Sequence, residues 1–193
     1  MADADDRYHA LRLFDDPDSL ADGVADFLYE GFLRGDAVLV VMRPELWNLT
    51  AAHLRRDCVP LRELIAKGQL SVLDSDRTLA RFTCHGTPDP VLFDAVVGDF
   101  VRQLRATHRR VRIYGDMVDI LAGDGDFENA RRLEALWNRL QEQETFALLC
   151  GYLAPHFADA RGSAALEAIC GSHSQVEAGA RDTLSPYLLD RTA

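Results

Sequence analysis

The chain lacks the G-x-x-x-x-G-K-[ST] pattern of a phosphate-binding loop, a C-x-x-C pair, and any apolar run near the roughly 20 residues that span a bilayer. The first absence removes the glycines that let backbone N–H groups approach phosphates and the lysine that reaches their outer oxygens. The second argues against a zinc ribbon or a secreted disulfide framework, so Cys58, Cys84, Cys150 and Cys170 are expected to be reduced thiols, mostly packed as small hydrophobes. The start of the chain, Met1 to Asp6, is acidic where a signal peptide is basic, and the expected location is the cytoplasm. Basic residues are outnumbered, 21 against 31 acidic ones, giving a formal charge of -10. That balance excludes a broad surface for nucleic acid or anionic membrane.

What remains is enough for one buried domain: 193 residues, 48% of them hydrophobic. Short β-branched runs alternate with longer helical ones, the pattern of an α/β fold with helices flanking a mainly parallel central sheet in three layers. A strand is predicted over Ala10–Phe14, followed by turn and cap residues at 15–19. The next helix carries Leu20, Val24, Phe27, Leu28 and Phe32 on one face and ends near Gly35. Ala37 to Met42 is apolar throughout, which places it at the sheet centre, buried on both faces. A short helix over 60–67 with Leu61, Leu64 and Ile65 inward precedes a strand at Gln69–Leu73. Asp74 to Pro90 is rich in Asp, Thr, Gly and Pro and reads as a long loop, a lid over the strand ends or plain surface. Further helices are predicted at 91–107, with Val91, Leu92, Ala95, Val96, Phe100 and Leu104 inward, at 127–143 and at 164–169. Strands are predicted at 111–114, running into a Gly115-Asp116 turn, and at 145–150.

Asp36 to Asp57 has the strand, turn and helix layout of a phosphate loop without its residues. Arg43, Pro44 and Trp47 stand where glycines would make room, so the cleft there is expected to be narrowed and apolar. ATP hydrolysis is not expected, although Thr50 and Asp116 occupy the places of a Mg²⁺-binding hydroxyl and a strand-end carboxylate. Phe14, Trp47, Tyr114, Trp137 and Tyr152 are candidates to line an apolar pocket, with core packing the commoner role. Cys150, His156, Cys170 and His173 offer metal-type side chains, yet their setting in a strand and an apolar helix favours packing, so no metal and no cofactor is expected. No G-x-S-x-G elbow is present, and Cys84-His85 lacks a third orienting group, so no catalytic residue is assigned.

Several short segments recur in a recognisable order: His9 with Leu13-Phe14, Leu28 through Asp36, Gly68-Gln69-Leu70 with Asp74, and Arg112-x-x-Gly115-Asp116-Met117. Glu134 through Leu140, Leu149-Cys150-x-Tyr152 and Ile169-Cys170-x-x-His173 complete the set. In this the chain resembles the MEDS family of methanogen and methylotroph sensory domains over residues 8–176, with 177–193 as a tail. The resemblance implies a RecA/KaiC-like fold, related to P-loop NTPases but without a Walker A motif. It implies a non-catalytic input module of prokaryotic signalling that senses small hydrocarbon derivatives. It also implies a histidine kinase or transcription regulator as output partner, although no output domain is expected within these residues. The family more often has Gly-Glu-Met where this chain has Gly115-Asp116-Met117. Carried across by motif, His9, Asp116, Met117, Cys150, Tyr152 and His173 are expected to line a ligand cleft, together with Phe14, Arg43 and Trp47. Two alternatives stay open: an ATP-binding protein with unconventional phosphate contacts, and a protein-interaction regulator with no small ligand. A homodimer is compatible with the size and charge.

Overall fold

The computed structural model describes residues 7–171, 173 and 175–177; the predicted packed turn at Pro186–Leu189 lies outside them. Six strands form one parallel sheet in the order β3-β2-β6-β7-β1-β8. In chain order, β1 (Tyr8–Phe14) leads into α1 (Pro17–Arg34), then β2 (Ala37–Met42), α2 (Pro44–Arg56), α3 (Leu61–Ala66) and β3 (Leu70–Asp74). Next come α4 (Ser75–Phe82), a small hairpin of β4 (Thr83–Cys84) and β5 (Thr87–Pro88), and α5 (Pro90–Phe93). A π-turn, Asp94–Gly98, joins α5 to α6 (Asp99–Thr107). The chain continues through β6 (Val111–Gly115), α7 (Met117–Gly123), α8 (Phe127–Gln143), β7 (Ala147–Leu153), α9 (Ala160–Cys170) and β8 (Gln175–Glu177).

Local chemistry sets these boundaries. Asp16 caps α1 by accepting from Ser19 N–H while the Ser19 hydroxyl returns to Asp16 N–H, a reciprocal capping box. Gly35, at φ 73°, ends α1 in the left-handed conformation that only glycine adopts without strain. Every residue of β2 is buried, as a central strand covered on both faces requires. The two faces carry separate apolar cores. One packs Leu11, Leu39, Ile113 and Leu148 against Phe82, Phe93, Val101 and Trp137; the other packs Ala10, Val38, Val40 and Leu149 against Leu20, Leu28, Leu46 and Leu54. The result is the three-layer α/β arrangement predicted.

Four local expectations are corrected. Residues 74–90 are not a loop. Asp74 caps α4 by accepting from Arg77 N–H, and Ser75, Thr78, Leu79 and Phe82 bury one helical face, a short 3.6-residue period masked by the surrounding turn-forming residues. The helix after Pro90 buries Phe93, Val97, Val101 and Leu104, leaving Ala95 exposed as well as Val91 and Leu92, at 74% and 41%. Its π-turn inserts one extra residue per turn and rotates the face away from an unbroken period. Ile65 is half exposed because α3 has only six residues and rests on the core through Leu61. Finally, β7 runs on through Gly151-Tyr152-Leu153 because it pairs along its whole length with β1, and α9 begins at Ala160, where Asp159 caps it.

At the edge where β2 and β6 begin, Arg112 is buried to 1% and holds α1 to the sheet. Its guanidinium donates to Phe27 O at 2.9 Å, to Glu30 at 3.0 Å and to Asp36 at 3.3 Å, and lies 4.7 Å over the Phe27 ring. Gly31 makes the approach possible, since a Cβ there would stand 2.8 Å from Arg112 Cδ. Arg110 adds a second pairing to Asp36 at 2.7 Å. Gly31, Asp36 and Arg112, three of the recurring motif positions, therefore hold the fold together at this edge.

Candidate functional site

The chain reverses direction across the sheet at β2 and β6. From β2 it passes through α2 to β3 on one side, and β6 on the other side leads to β7. α2 packs with α1, whereas α7 packs with α8, so the helices after these neighbouring strands diverge to opposite faces. In open α/β sheets such a switch point leaves a crevice beyond the strand ends. Arg43 and Asp116 are the residues immediately after the two strands, and they meet there.

Asp116 is fully buried, and its Oδ2 accepts from Arg43 backbone N–H at 3.1 Å and from Arg43 Nε at 3.0 Å. Arg43 Nη2 also donates to Asp119, whose other oxygen accepts Leu153 N–H at 2.7 Å and lies 3.2 Å from His156 Nε2. A carboxylate of the chain thus takes the backbone N–H that begins the strand-to-helix turn, the group a phosphate would need. Burial pushes Asp116 above the ordinary carboxylate range, against the pull of Arg43. Burial acts on Asp119 in the same sense, but the adjacent His156, the Leu153 N–H hydrogen bond and the Arg43 charge hold it below that range. Arg43 is raised: the two aspartates outweigh its partial burial. Asp116 Oδ1 and the buried Ser75 hydroxyl make no hydrogen bond among the described residues. In front of Arg43 opens a cleft of about 260 Å³ lined by Pro17, Arg43, Glu45, Leu46, Leu49 and Leu153.

A second polar network lies inside the sheet's other layer, between β1, β7 and α8. Glu134, 1% exposed, faces His9 Nε2 at 3.1 Å and His173 Nε2 at 3.3 Å. It accepts the Tyr152 hydroxyl at 2.7 Å and the Cys150 thiol at 3.4 Å. His9 Nε2 also stands 3.2 Å from Cys150 Sγ, and the two imidazole rings are 4.1 Å apart. Burial would raise Glu134, yet the charge of the adjacent His173, with His9 beside it, holds it far below its ordinary value. His173 is raised because Glu134 and the Ile169 carbonyl outweigh its burial. Burial pushes the Cys150 thiol and the Tyr152 phenol well up, and the neighbouring Glu134 charge adds to both shifts.

The predicted residues therefore divide. His9, Cys150, Tyr152 and His173 come together around Glu134, and Arg43 and Asp116 come together at the switch point. Met117 is fully buried in the core at the start of α7, and Phe14 is 4% exposed in the opposite core. Trp47 is half-buried against that core, outside the residues that line the cleft. His156 joins the Asp119 network, not the side chains around Cys150. Sequence reasoning gave no role to Glu134, Asp119 or Leu153. The signal for Glu134 was a carboxylate within the apolar stripe of α8, three residues before the buried Trp137.

The fold is thus a parallel α/β domain whose strand-to-helix turn is closed by its own carboxylate, with a separate acid–imidazole–thiol network buried between β1, β7 and α8. A model of the MEDS family, "MEthanogen/methylotroph, DcmR Sensory domain", matches residues 8–174. The chain belongs to that family and is a sensory domain. No curated protein matches it.

Proposed function

We propose that this domain is a non-catalytic, cytoplasmic input module that binds a small, largely apolar molecule, a simple hydrocarbon derivative, in the cleft at the switch point. The observation that carries the reading is the cleft itself. Leu46, Leu49, Leu153 and Pro17 supply apolar walls, Arg43 and Glu45 are the charged part of the lining, and the Arg43 charge is balanced by Asp116 and Asp119. Such a site suits a compact ligand with an apolar body and one polar group. Its volume is small, at about 260 Å³. A RecA-like ancestry accounts for the position of the cleft, with Arg43 and Asp116 replacing phosphate chemistry.

Ligand contact with Arg43 would alter the Arg43–Asp119–Leu153 connection and so the end of β7, the change passed to a histidine kinase or transcription regulator. A ligand shifts such an equilibrium only by its differential affinity for the two arrangements. Methyl-labelled protein titrated with short-chain alcohols and halogenated methanes tests the reading. Saturable shifts at Leu46, Leu49 and Leu153 that disappear in Leu49→Glu are expected. Shifts that never saturate, or that persist unchanged in the variant, would refute it.

A further inference from the structure

We propose that His9, Glu134, Cys150 and His173 form a four-coordinate site for a divalent transition-metal ion of zinc's class. Its donors are distinct from the residues that line the cleft, and it departs from the expectation that the chain holds no metal.

The four donor atoms lie within 4.8 Å of one another. Tetrahedral zinc with bonds of about 2.0–2.3 Å to nitrogen, oxygen and sulfur sets donor atoms roughly 3.3–3.8 Å apart. Glu134 Oε2 stands 3.1 Å from His9 Nε2 and 3.4 Å from Cys150 Sγ, His9 Nε2 stands 3.2 Å from Cys150 Sγ, and His173 Nε2 stands 3.3 Å from the other carboxylate oxygen, Oε1. These four separations lie near the tetrahedral edge, so a rotation of the Glu134 carboxylate and a small movement of the side chains would admit an ion.

The outer contacts orient each donor inward. His173 Nδ1 is 2.8 Å from the Ile169 carbonyl, which can only accept, so that nitrogen carries the proton and Nε2 is left to face the cluster. His9 Nδ1 stands 2.7 Å from Asn138 Oδ1, and in donating to it would leave Nε2 to face the cluster. The Tyr152 hydroxyl donates to Glu134 Oε1 at 2.7 Å. Histidine ligands held through the remote nitrogen, and a carboxylate held by a hydroxyl, are the outer-shell pattern of metal sites.

Charge fits the same reading: the two positive charges of a divalent ion balance the Glu134 carboxylate and a Cys150 thiolate, and the two imidazoles, 4.1 Å apart, are neutral donors. On binding, the Cys150 thiol and any doubly protonated imidazole release their protons to solvent, and no oxidation occurs. The donor set of two nitrogens, one sulfur and one oxygen suits Zn²⁺ or Co²⁺ rather than Mg²⁺ or Ca²⁺. Four protein ligands leave no open position, so the ion clamps β1, β7, α8 and the segment after α9 and supplies no catalytic water.

Cobalt(II) titration of chelator-treated, folded protein tests this, because a cobalt–thiolate bond gives a charge-transfer band and tetrahedral cobalt gives intense visible bands. The expected result is saturation at one cobalt per chain, with zinc displacing it and the thermal midpoint rising as metal is added. The charge-transfer band should vanish in Cys150→Ser and survive in Cys58→Ser/Cys84→Ser, whose thiols are exposed. Glu134→Gln, of nearly the same shape, should bind at least tenfold more weakly while staying folded. No stoichiometric band in the folded parent, or a band that persists in Cys150→Ser, would overturn the proposal and leave a metal-free buried ion network.

Discussion

Replacing Arg43 by Met keeps most of the side chain's length and removes the guanidinium that faces Asp116 and Asp119, both fully buried. Breaking a buried pair from one side costs about 3–5 kcal/mol, because the remaining charge is left desolvated. Arg43 is itself 25% exposed, so water already weakens the pairing, and a loss of about 2–4 kcal/mol is expected near neutral pH. The loss should depend on pH with a definite sign. Asp116 already lies above its ordinary value of 3.8 through burial, and Arg43 is the main influence holding it down. Without Arg43 it rises further, and the folded protein then keeps a proton that the unfolded chain has released. Stability from such a group is present at low pH and is lost as pH rises through the folded value. Urea unfolding followed by circular dichroism, near neutrality and about two pH units lower, should therefore show a smaller deficit at the lower pH. Adding Asp116→Asn should recover part of it at neutral pH. A deficit under about 1 kcal/mol, or one indifferent to both pH and the second substitution, would refute the view that this pair is a desolvated, mutually dependent unit.

Gly151→Ala should destabilise by about 1–3 kcal/mol, since its Cβ would stand 2.6 Å from the buried Tyr114 hydroxyl; Tyr114→Phe in the same chain should relieve most of that in thermal melts. Tyr114→Phe alone should be neutral or stabilising, because that hydroxyl has no hydrogen-bond partner among the described residues. Asp36→Asn weakens the pairing with both Arg112 and Arg110 and should cost about 3–5 kcal/mol by chemical denaturation. Phe82→Ala should cost about 3–5 kcal/mol, and amides of α4 should exchange as slowly as those of α6. Fast exchange throughout 75–82 would restore the mobile-loop expectation.

The elements easiest to foresee were those whose local signals agree. The strand Ala37–Met42 and the helix Phe127–Gln143 were bounded to the residue, one by an unbroken apolar run and the other by a helical stripe that follows a Gly/Asp break at 123–126. α4 was missed because eight residues between turn-formers hold barely two helical turns. The inward face of 91–107 was misjudged because a π-turn changes the angular step, and apolar spacing alone does not announce one. At the site, residue type and position beyond a strand end pointed to Arg43 and Asp116. Glu134 was invisible as a partner because its significance arises only when β1, β7 and the segment after α9 bring two imidazoles and a thiol to it, His9 from more than a hundred residues away in the chain.

Tyr152 and Leu153 are consecutive residues of β7, yet the hydroxyl of one binds Glu134 and the backbone N–H of the other binds Asp119. Neighbours in a strand cannot be displaced separately, so the last turn of backbone in β7 is a balance beam with a weight at each end. Any species that tightens one end changes the work needed to load the other. Thermodynamic reciprocity then requires the second event to act back on the first by the same factor. Affinity measured at the cleft should therefore vary with the state of the Glu134 cluster even though no molecule touches both.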